Sequence, residues 1–111
     1  PDIGERMAWA ELVGPIAPFH SDEVCLGLTA IGPHLRYPPH RHPATETYLV
    51  VSGTASWTAA GICRQHPPGA LILHPSNIVH VMETGDAPLL AAYAWTGDVK
   101  TLSTYHPETG S

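Results

Sequence analysis

Apolar and polar residues alternate in many short runs along the chain, and proline or glycine separates one run from the next. A period of two is typical of β-strands that bury one face, and twelve prolines and ten glycines argue against long helices. In the run over residues 24–31, the side chains of Val24, Leu26, Leu28 and Ala30 share a face. The pattern predicts about eight short strands, over residues 7–13, 24–31, 46–52, 54–58, 62–65, 70–74, 78–83 and 88–96.

Strands of this length and spacing are typical of an all-β sandwich or barrel. We therefore predict a jelly-roll barrel formed by one domain over residues 1–111, with a core at about residues 24–98 and a polar tail at 99–111. A hydrophobic fraction of 43% in 111 residues is sufficient for a single modest core. No apolar run is long enough to cross a membrane, so we expect no membrane association.

Charge and cysteine content indicate the partners and compartment expected of this protein. Ten acidic residues oppose five basic ones, and the basic residues form no cluster, so we expect no nucleic-acid partner. Cys25 and Cys63 form no CxxC motif; we expect free, buried thiols in a reducing cytosol, with pairing in space as the alternative. No secretory signal is visible, so we expect a cytoplasmic protein. Because Pro1 is not a natural start, we expect a trimmed N-terminus, and the loss of a signal segment stays open.

Residues of the types that bind transition metals are concentrated in one stretch, His40-Arg41-His42-Pro43-Ala44-Thr45-Glu46, and a further histidine, His80, follows. Side chains alternate faces along a strand, so His40, His42 and Glu46 share a parity and point the same way. Three imidazoles and one carboxylate suit a divalent transition metal such as Fe, Zn, Mn, Ni or Co. The sequence therefore predicts one metal site, in which His40 is either a ligand or a substrate contact.

The metal-binding stretch resembles the two sequence motifs of the cupin superfamily. His40-x-His42-x3-Glu46-x6-Gly53 matches the central part of the first motif, although His34 stands where that motif opens with glycine. Gly69-x5-Pro75-x-Asn77-x2-His80 matches the second motif, with Asn77 in place of glycine; asparagine tolerates positive φ better than most residues. The resemblance implies a cupin double-stranded β-helix, with the metal cluster facing its interior.

The chain also contains Tyr37-Pro-Pro-His-Arg-His-Pro-Ala-Thr-Glu-Thr-Tyr48, Pro67-Pro68-Gly69, His74-Pro75, His80-x-Met82 and Leu89-Leu-Ala-Ala-Tyr-Ala-Trp95. In these residues, over about residues 24–98, it is more specifically similar to the cupin-type dimethylsulfoniopropionate lyases, which release dimethyl sulfide and acrylate. The resemblance implies that Tyr48, two residues after the glutamate, acts as the catalytic base. It also implies that Tyr37 binds substrate and that Trp95 lines the pocket. Members of this family often carry an additional N-terminal helical segment, and cupins commonly dimerise, so a homodimer is expected.

The residues themselves suggest how such a reaction would proceed on a small anionic or zwitterionic substrate. Tyr48 shares the parity of the metal ligands, and a nearby divalent cation lowers the pKa of a phenol from its usual value of about 10. Tyr37, Tyr93 and Trp95 are candidates to hold a cationic sulfonium, and Trp57 is expected to pack in the core. A dioxygenase, a sugar isomerase and a non-catalytic ligand-sensing cupin are the alternatives.

Overall fold

The computed structural model describes residues 7–105, so residues 1–6 and the end of the predicted polar tail, 106–111, lie outside the described range. Within that range the regular structure is all β. The strands are β1 (Met7–Gly14), β2 (Phe19–His20), β3 (Val24–Ile31), β4 (Arg36–Arg41), β5 (Thr45–Ser52), β6 (Ala55–Ala59), β7 (Ile62–His66), β8 (Leu71–His74), β9 (His80–Thr84), β10 (Leu89–Thr96) and β11 (Thr104–Tyr105).

The strands form two sheets that pack face to face. One sheet has the order β2-β1-β3-β10-β5-β8, and the other has the order β11-β4-β9-β6-β7. Between them, the rings of Tyr48 on β5 and Trp57 on β6 lie 4.8 Å apart. This is the two-sheet, all-β arrangement that the period of two predicts. The buried apolar side chains between the sheets are Met7, Ile31, Leu35, Tyr37, Tyr48, Val50, Ala55, Trp57, Ile72, Met82, Leu89 and Ala91.

Strand β3 presents its larger apolar residues to the outside. Leu26 and Leu28 do share a face, as predicted, but their side chains are 42% and 39% exposed. The inner face instead carries Cys25, Gly27, Thr29 and Ile31, all of which are buried. Because most of these residues are small, β3 leaves free volume between the sheets, and that volume becomes part of the interior pocket described below.

The alternation of apolar residues did not predict strand β4, which contains the pair Pro38-Pro39. A proline cannot donate a hydrogen bond to a sheet, so such a pair normally indicates a loop. In the structure β4 pairs with β9 at Tyr37↔Met82 and at His40↔His80, and the register shifts between these two pairs. The prolines therefore lie in an irregular stretch of the ladder, and the strand still carries His40 into the interior. The two-residue strands β2 and β11 were also missed.

The folded region extends beyond the predicted core of residues 24–98 on both sides. At the N-terminal side, β1 pairs along β3 and contributes Met7 to the core. At the C-terminal side, in the segment predicted as a polar tail, Val99 is buried and β11 pairs with β4. Both segments consequently border the interior pocket.

Both cysteines are free thiols, as predicted, but they differ in exposure. Cys25 is buried on β3, whereas Cys63 is exposed. The prediction of a buried Cys63 is wrong because β7 lies at the edge of its sheet and most of its residues are exposed.

Gly53 closes the turn after β5, and its replacement should destabilise the protein. Its φ is +84°, and a Cβ there would collide with the backbone carbonyl of Pro88. Gly61 has a φ of +77° but no atom within 4 Å of its Cβ position, so Gly61→Ala isolates the backbone strain. We expect Gly61→Ala to lower the free energy of unfolding by ~1 kcal/mol and Gly53→Ala by ~3 kcal/mol or more. Urea unfolding measures both, and equal losses would contradict the close approach at Pro88.

Candidate active site

The four predicted metal ligands come from both sheets and meet in the interior. His40 lies on β4, His42 in the connection to β5, Glu46 on β5 and His80 at the start of β9. The parity argument treated the first three as parts of one strand, whereas β4 and β5 belong to different sheets. The parity still gives the correct direction, because β4, the connection after it and β5 each turn their residue inward. These three side chains and that of His80 are at most 3% exposed.

Three of the four residues form a compact group. His42, Glu46 and His80 each offer one ligand atom, and these atoms lie within 4.8 Å of one another. Glu46 Oε1 is 3.0 Å from His42 Nε2 and 3.5 Å from His80 Nε2. His40 lies outside this group, with its ring centroid 4.1 Å from that of His80.

The hydrogen bonds of the histidine rings show that this group fits a divalent cation. Nδ1 of His42 lies 2.9 Å from the carbonyl oxygen of Ala44, and Nδ1 of His80 lies 2.9 Å from that of Ile78. A carbonyl oxygen only accepts, so Nδ1 must carry the proton that it donates, and a neutral ring then keeps a lone pair on Nε2. The lone pair of His42 Nε2 faces the Glu46 carboxylate, which is itself an acceptor. Two facing acceptors require a proton or a cation between them, and among the described residues the buried His80 Nε2 has no hydrogen-bond partner.

The two motifs are also joined through the backbone. The N–H of Asn77 donates to the carbonyl oxygen of His42 over 2.8 Å. Asn77 has a φ of 60°, in the left-handed region that its side chain tolerates, so it replaces the glycine of the second cupin motif without losing the turn. This turn leads directly into β9 and places His80 beside His42.

The electrostatics favour the protonation states that a metal ion needs. Burial alone would raise the pKa of the Glu46 carboxyl, but hydrogen bonds from His42, His80 and Trp95, donated when the ring nitrogens that face the carboxylate carry protons, outweigh burial and lower it to about 2. Burial, together with the neighbouring His80, lowers the pKa of His40 to about 4. At neutral pH the carboxylate is therefore ionised and His40 is uncharged, as required of metal ligands.

A cavity of about 280 Å³ opens onto this group. The predicted base Tyr48 and the predicted substrate-binding residues Tyr37, Tyr93 and Trp95 all line it. The Trp95 ring stacks on His42 with centroids 4.1 Å apart, and the Tyr37 ring stacks on His40 at the same distance. Trp57 is 2% exposed and packs in the core, as expected.

The tyrosine hydroxyls differ in their surroundings. Burial and the charge of Glu46 raise the pKa of Tyr48 well above its usual value. Burial and the neighbouring Tyr105 hydroxyl, 3.1 Å away, likewise raise the pKa of Tyr37. Burial and Glu11 raise the pKa of the half-buried Tyr93 to about 12. In the protein alone these groups are thus neutral phenols, and ionisation of Tyr48 depends on a nearby positive charge.

Several residues at the site were not identified from the sequence. Trp9 and Glu11 on β1 line the cavity. They share the strand parity of the buried Met7, and this parity could have placed them on the inner face. His74 on β8 lies opposite Glu46 in the sheet, and its ring stacks on His80 with centroids 4.2 Å apart. His74 is 1% exposed, and neither ring nitrogen has a hydrogen-bond partner among residues 7–105. In the sequence, the proline that follows His74 indicates a turn and gives no signal of a functional site.

Comparisons with known proteins give consistent relatives for this fold and site. The model of the dimethylsulfoniopropionate lyase family matches residues 1–91. The DddL protein of Cereibacter sphaeroides is 36% identical over 103 residues, which are 91% of this chain and 43% of DddL. Dimethylsulfoniopropionate lyase DddQ of Ruegeria pomeroyi is 35% identical over 105 residues, which are 90% of this chain and 50% of DddQ. The chain spans about half the length of these curated relatives.

Solved structures agree with the architecture. The crystal structure of DddQ from Ruegeria pomeroyi superposes with a TM-score of 0.92 at 33% identity, covering 99% of this chain and 56% of that chain. A cupin superfamily protein from Desulfitobacterium hafniense superposes with a TM-score of 0.72 at 16% identity, covering 84% of this chain and 79% of its own. The second similarity concerns the fold alone and confirms the predicted cupin jelly roll. The described residues contain no helix that is long and apolar enough to cross a membrane.

Proposed function

The chain belongs to the dimethylsulfoniopropionate lyase family, and we propose that it cleaves dimethylsulfoniopropionate to dimethyl sulfide and acrylate at a metal site in the barrel interior. The observation that carries this proposal is the pair of acceptors at the centre of the site, His42 Nε2 and Glu46 Oε1, which face each other over 3.0 Å. Such a pair requires a proton or a cation between its members, and a divalent cation fits because the Nδ1 atoms of His42 and His80 already lie against backbone carbonyls. The pair opens onto an aromatic cavity suited to a small zwitterion.

His42, Glu46 and His80 would hold the metal, and His40 is the candidate for a fourth ligand. The mixed nitrogen and oxygen donors suit Fe, Zn, Mn, Ni or Co. A bound divalent ion supplies Lewis acidity, which stabilises negative charge that develops on a substrate carboxylate. The carbonyl groups of Ala44 and Ile78 orient the His42 and His80 rings, and such outer hydrogen bonds fix the tautomer that binds metal.

Tyr48 is the proposed base. It lies two residues after Glu46 on the same inner face of β5, 3% exposed and lining the cavity. As a phenolate, its hydroxyl oxygen would take a proton from the carbon next to the substrate carboxylate. The electrons of that C–H bond form the carbon–carbon double bond of acrylate, and the C–S bond breaks with its electron pair remaining on sulfur. The cationic sulfur thereby leaves as neutral dimethyl sulfide.

The aromatic side chains around the cavity are proposed to hold the sulfonium end. Tyr37, Tyr93 and Trp95 present ring faces and edges to the same cavity as the metal ligands. A cation over an aromatic face gains ~0.5–2 kcal/mol, the larger value when water is excluded. The carboxylate would consequently be directed to the metal end of the cavity, with the α-carbon near Tyr48.

Trp95 and Trp57 provide a matched test of this pocket. Trp95→Ala should raise the Kd for dimethylsulfoniopropionate by ~2- to 30-fold, because it removes a cation–π contact at the cavity wall. Trp57→Ala should instead lower the free energy of unfolding by ~3–5 kcal/mol, since the side chain is buried in the core. Calorimetric binding at a temperature where both variants are folded measures the first effect. Equal losses of affinity would mean that the pocket is misplaced.

Headspace gas chromatography under nitrogen tests the proposed reaction. Metal-loaded protein mixed with dimethylsulfoniopropionate should release dimethyl sulfide without oxygen, because an elimination needs no oxidant. A requirement for oxygen would favour a dioxygenase on the same metal ligands. Absence of dimethyl sulfide together with conversion of a sugar would favour an isomerase, and metal binding without any turnover would favour a ligand-sensing cupin. The homodimer expected from the family resemblance is a separate prediction, tested by light scattering.

A further inference from the structure

The cavity contains a second carboxylate, Glu11, that the proposed reaction does not use. Glu46 on β5 is surrounded by imidazoles, whereas Glu11 lines the cavity from β1, three strands away in the same sheet. Within residues 7–105 no lysine or arginine forms an ion pair with Glu11. Lys100 also borders the cavity, but its Nζ lies 3.3 Å from Asp22 Oδ1. Glu11 thus brings a negative charge to an aromatic cavity without a positive partner from the described part of the chain.

The sheet places Glu11 in line with the proposed catalytic residues. Across adjacent strands, Glu11 pairs with Gly27, Gly27 with Tyr93, and Tyr93 with Tyr48. Strand spacing of ~4.8 Å puts the backbone of Glu11 roughly 14 Å from that of Tyr48 along the sheet. Both side chains extend inward from their strands. The cavity of about 280 Å³ that both residues line has room for a small molecule.

The Tyr93 side chain lies between Glu11 and Tyr48 and forms part of the cavity wall. Gly27 has no side chain, and a Cβ there would lie 2.5 Å from the Tyr93 hydroxyl and 2.5 Å from the Ala10 carbonyl oxygen. The Tyr93 phenol therefore lies across β3 and reaches towards β1, where Glu11 is located. With any larger residue at position 27, the ring would have to leave this position.

The Glu11 carboxylate lies beside Cys25 and Gly14 at the cavity wall. A Cβ on Gly14 would lie 2.8 Å from Glu11 Oε2 and 3.1 Å from Cys25 Sγ, so carboxylate and thiol are neighbours over Gly14. Burial, with Glu11 beside it, raises the pKa of the Cys25 thiol to about 11. Cys25 therefore stays a neutral thiol, whose Sγ donates to the carbonyl oxygen of Val99 over 3.9 Å and lies beside the Glu11 carboxylate.

We propose that Glu11 is a specificity-determining residue, the counter-charge that selects a ligand with a cationic group at the end remote from the metal. The identification of that group as a sulfonium rests on the proposed function, whereas the preference for a cation does not. A carboxylate near a partly dehydrated cavity gains more from a cation than it would in water, because the effective dielectric is lower. An uncharged ligand of the same shape would displace water from Glu11 without giving the carboxylate a favourable electrostatic contact.

Two ligands of equal shape test the preference for a cation directly. The probes are 3-(trimethylammonio)propanoate and 4,4-dimethylpentanoate. The first has a positively charged quaternary nitrogen at the position where the second has an uncharged quaternary carbon. Metal-loaded wild type should bind the cationic probe about tenfold more tightly in calorimetry, and Glu11→Gln should lose most of that ratio. Glu83→Gln removes one charge from the outer surface, where Glu83 pairs with Arg36 over 3.3 Å, and should keep the ratio. Glu11→Asp should restore part of it.

An unchanged ratio in Glu11→Gln would overturn this assignment, as would an equal fall in Glu83→Gln. Thermal unfolding of Glu11→Gln checks that the variant is folded, and with dimethylsulfoniopropionate its KM should rise while kcat changes little. The outcomes separate the two proposals. A cation preference that depends on Glu11, without release of dimethyl sulfide, would refute the lyase reaction only. Release of dimethyl sulfide with an unchanged ratio would refute the role of Glu11 only.

Discussion

Replacement of Tyr48 by phenylalanine should reduce turnover of dimethylsulfoniopropionate by ~100-fold or more, the usual effect of removing a positioned acid–base group. The substitution removes the proton acceptor but keeps the ring that packs against Trp57. Loss of one buried hydroxyl costs about 1 kcal/mol, so the variant should remain folded. Metal content should also be unchanged, because Tyr48 is not one of the three residues in the compact group.

Tyr93→Phe is the matched control for this experiment. Tyr93 lies directly opposite Tyr48 on the neighbouring strand and lines the same cavity. Removing its hydroxyl should change kcat by less than about tenfold, since this hydroxyl takes no part in the proposed proton transfer. Steady-state rates of dimethyl sulfide release give both numbers. Near-normal elimination by Tyr48→Phe would refute the assignment of the base while leaving the fold and the metal site untouched.

His80→Ala should have the second largest effect, a loss of metal affinity of at least ~100-fold with a parallel loss of activity. The residue contributes an imidazole whose Nε2 lies 3.5 Å from Glu46 Oε1 and whose Nδ1 is already held by Ile78. Alanine removes this metal-ligating nitrogen and leaves His42 and Glu46 of the compact group, which should bind metal weakly. His42→Ala should behave in the same way. Elemental analysis after dialysis against a known free metal concentration measures the change.

His20→Ala is the control, because its side chain is 66% exposed and, among residues 7–105, pairs with Asp22 alone. It should retain full metal content. His40→Ala is the informative third variant, since His40 is buried beside the compact group without belonging to it. A smaller loss of metal in His40→Ala than in His80→Ala would favour a substrate contact, and equal losses would favour a fourth ligand. Full occupancy in His42→Ala and His80→Ala would refute the site.

Local features of the sequence predicted the centre of the site. Parity along short strands is a property of the backbone, and it correctly turned His40, His42, Glu46 and Tyr48 inward even though the strands belong to different sheets. Asn77 is another local case, because its tolerance of positive φ preserved the turn before His80. In these cases the evidence lies within a few residues of the feature it predicts.

Features that depend on pairing across the sheets were not predicted. Glu11 joins the cavity only because β1 pairs with β3, and His74 lies against the metal group only because β8 pairs with β5. The hydrophobic pattern could not predict which face of β3 points inward, because the apolar Leu28 points outward and the inward-facing Gly27 leaves room for Tyr93. Likewise, Pro38-Pro39 concealed β4 because the ladder becomes irregular at that point.

Removal and restoration of the metal tests the central claim most directly. The protein is stripped with a chelator, divided, and reloaded with one equivalent of Fe(II), Zn(II), Mn(II), Ni(II) or Co(II), and dimethyl sulfide and acrylate are quantified from the same anaerobic reaction. We expect no product from the stripped protein, and from at least one reloaded sample equal amounts of the two products. Undiminished activity in the stripped protein, or no dimethyl sulfide from any fully loaded sample, would contradict the account.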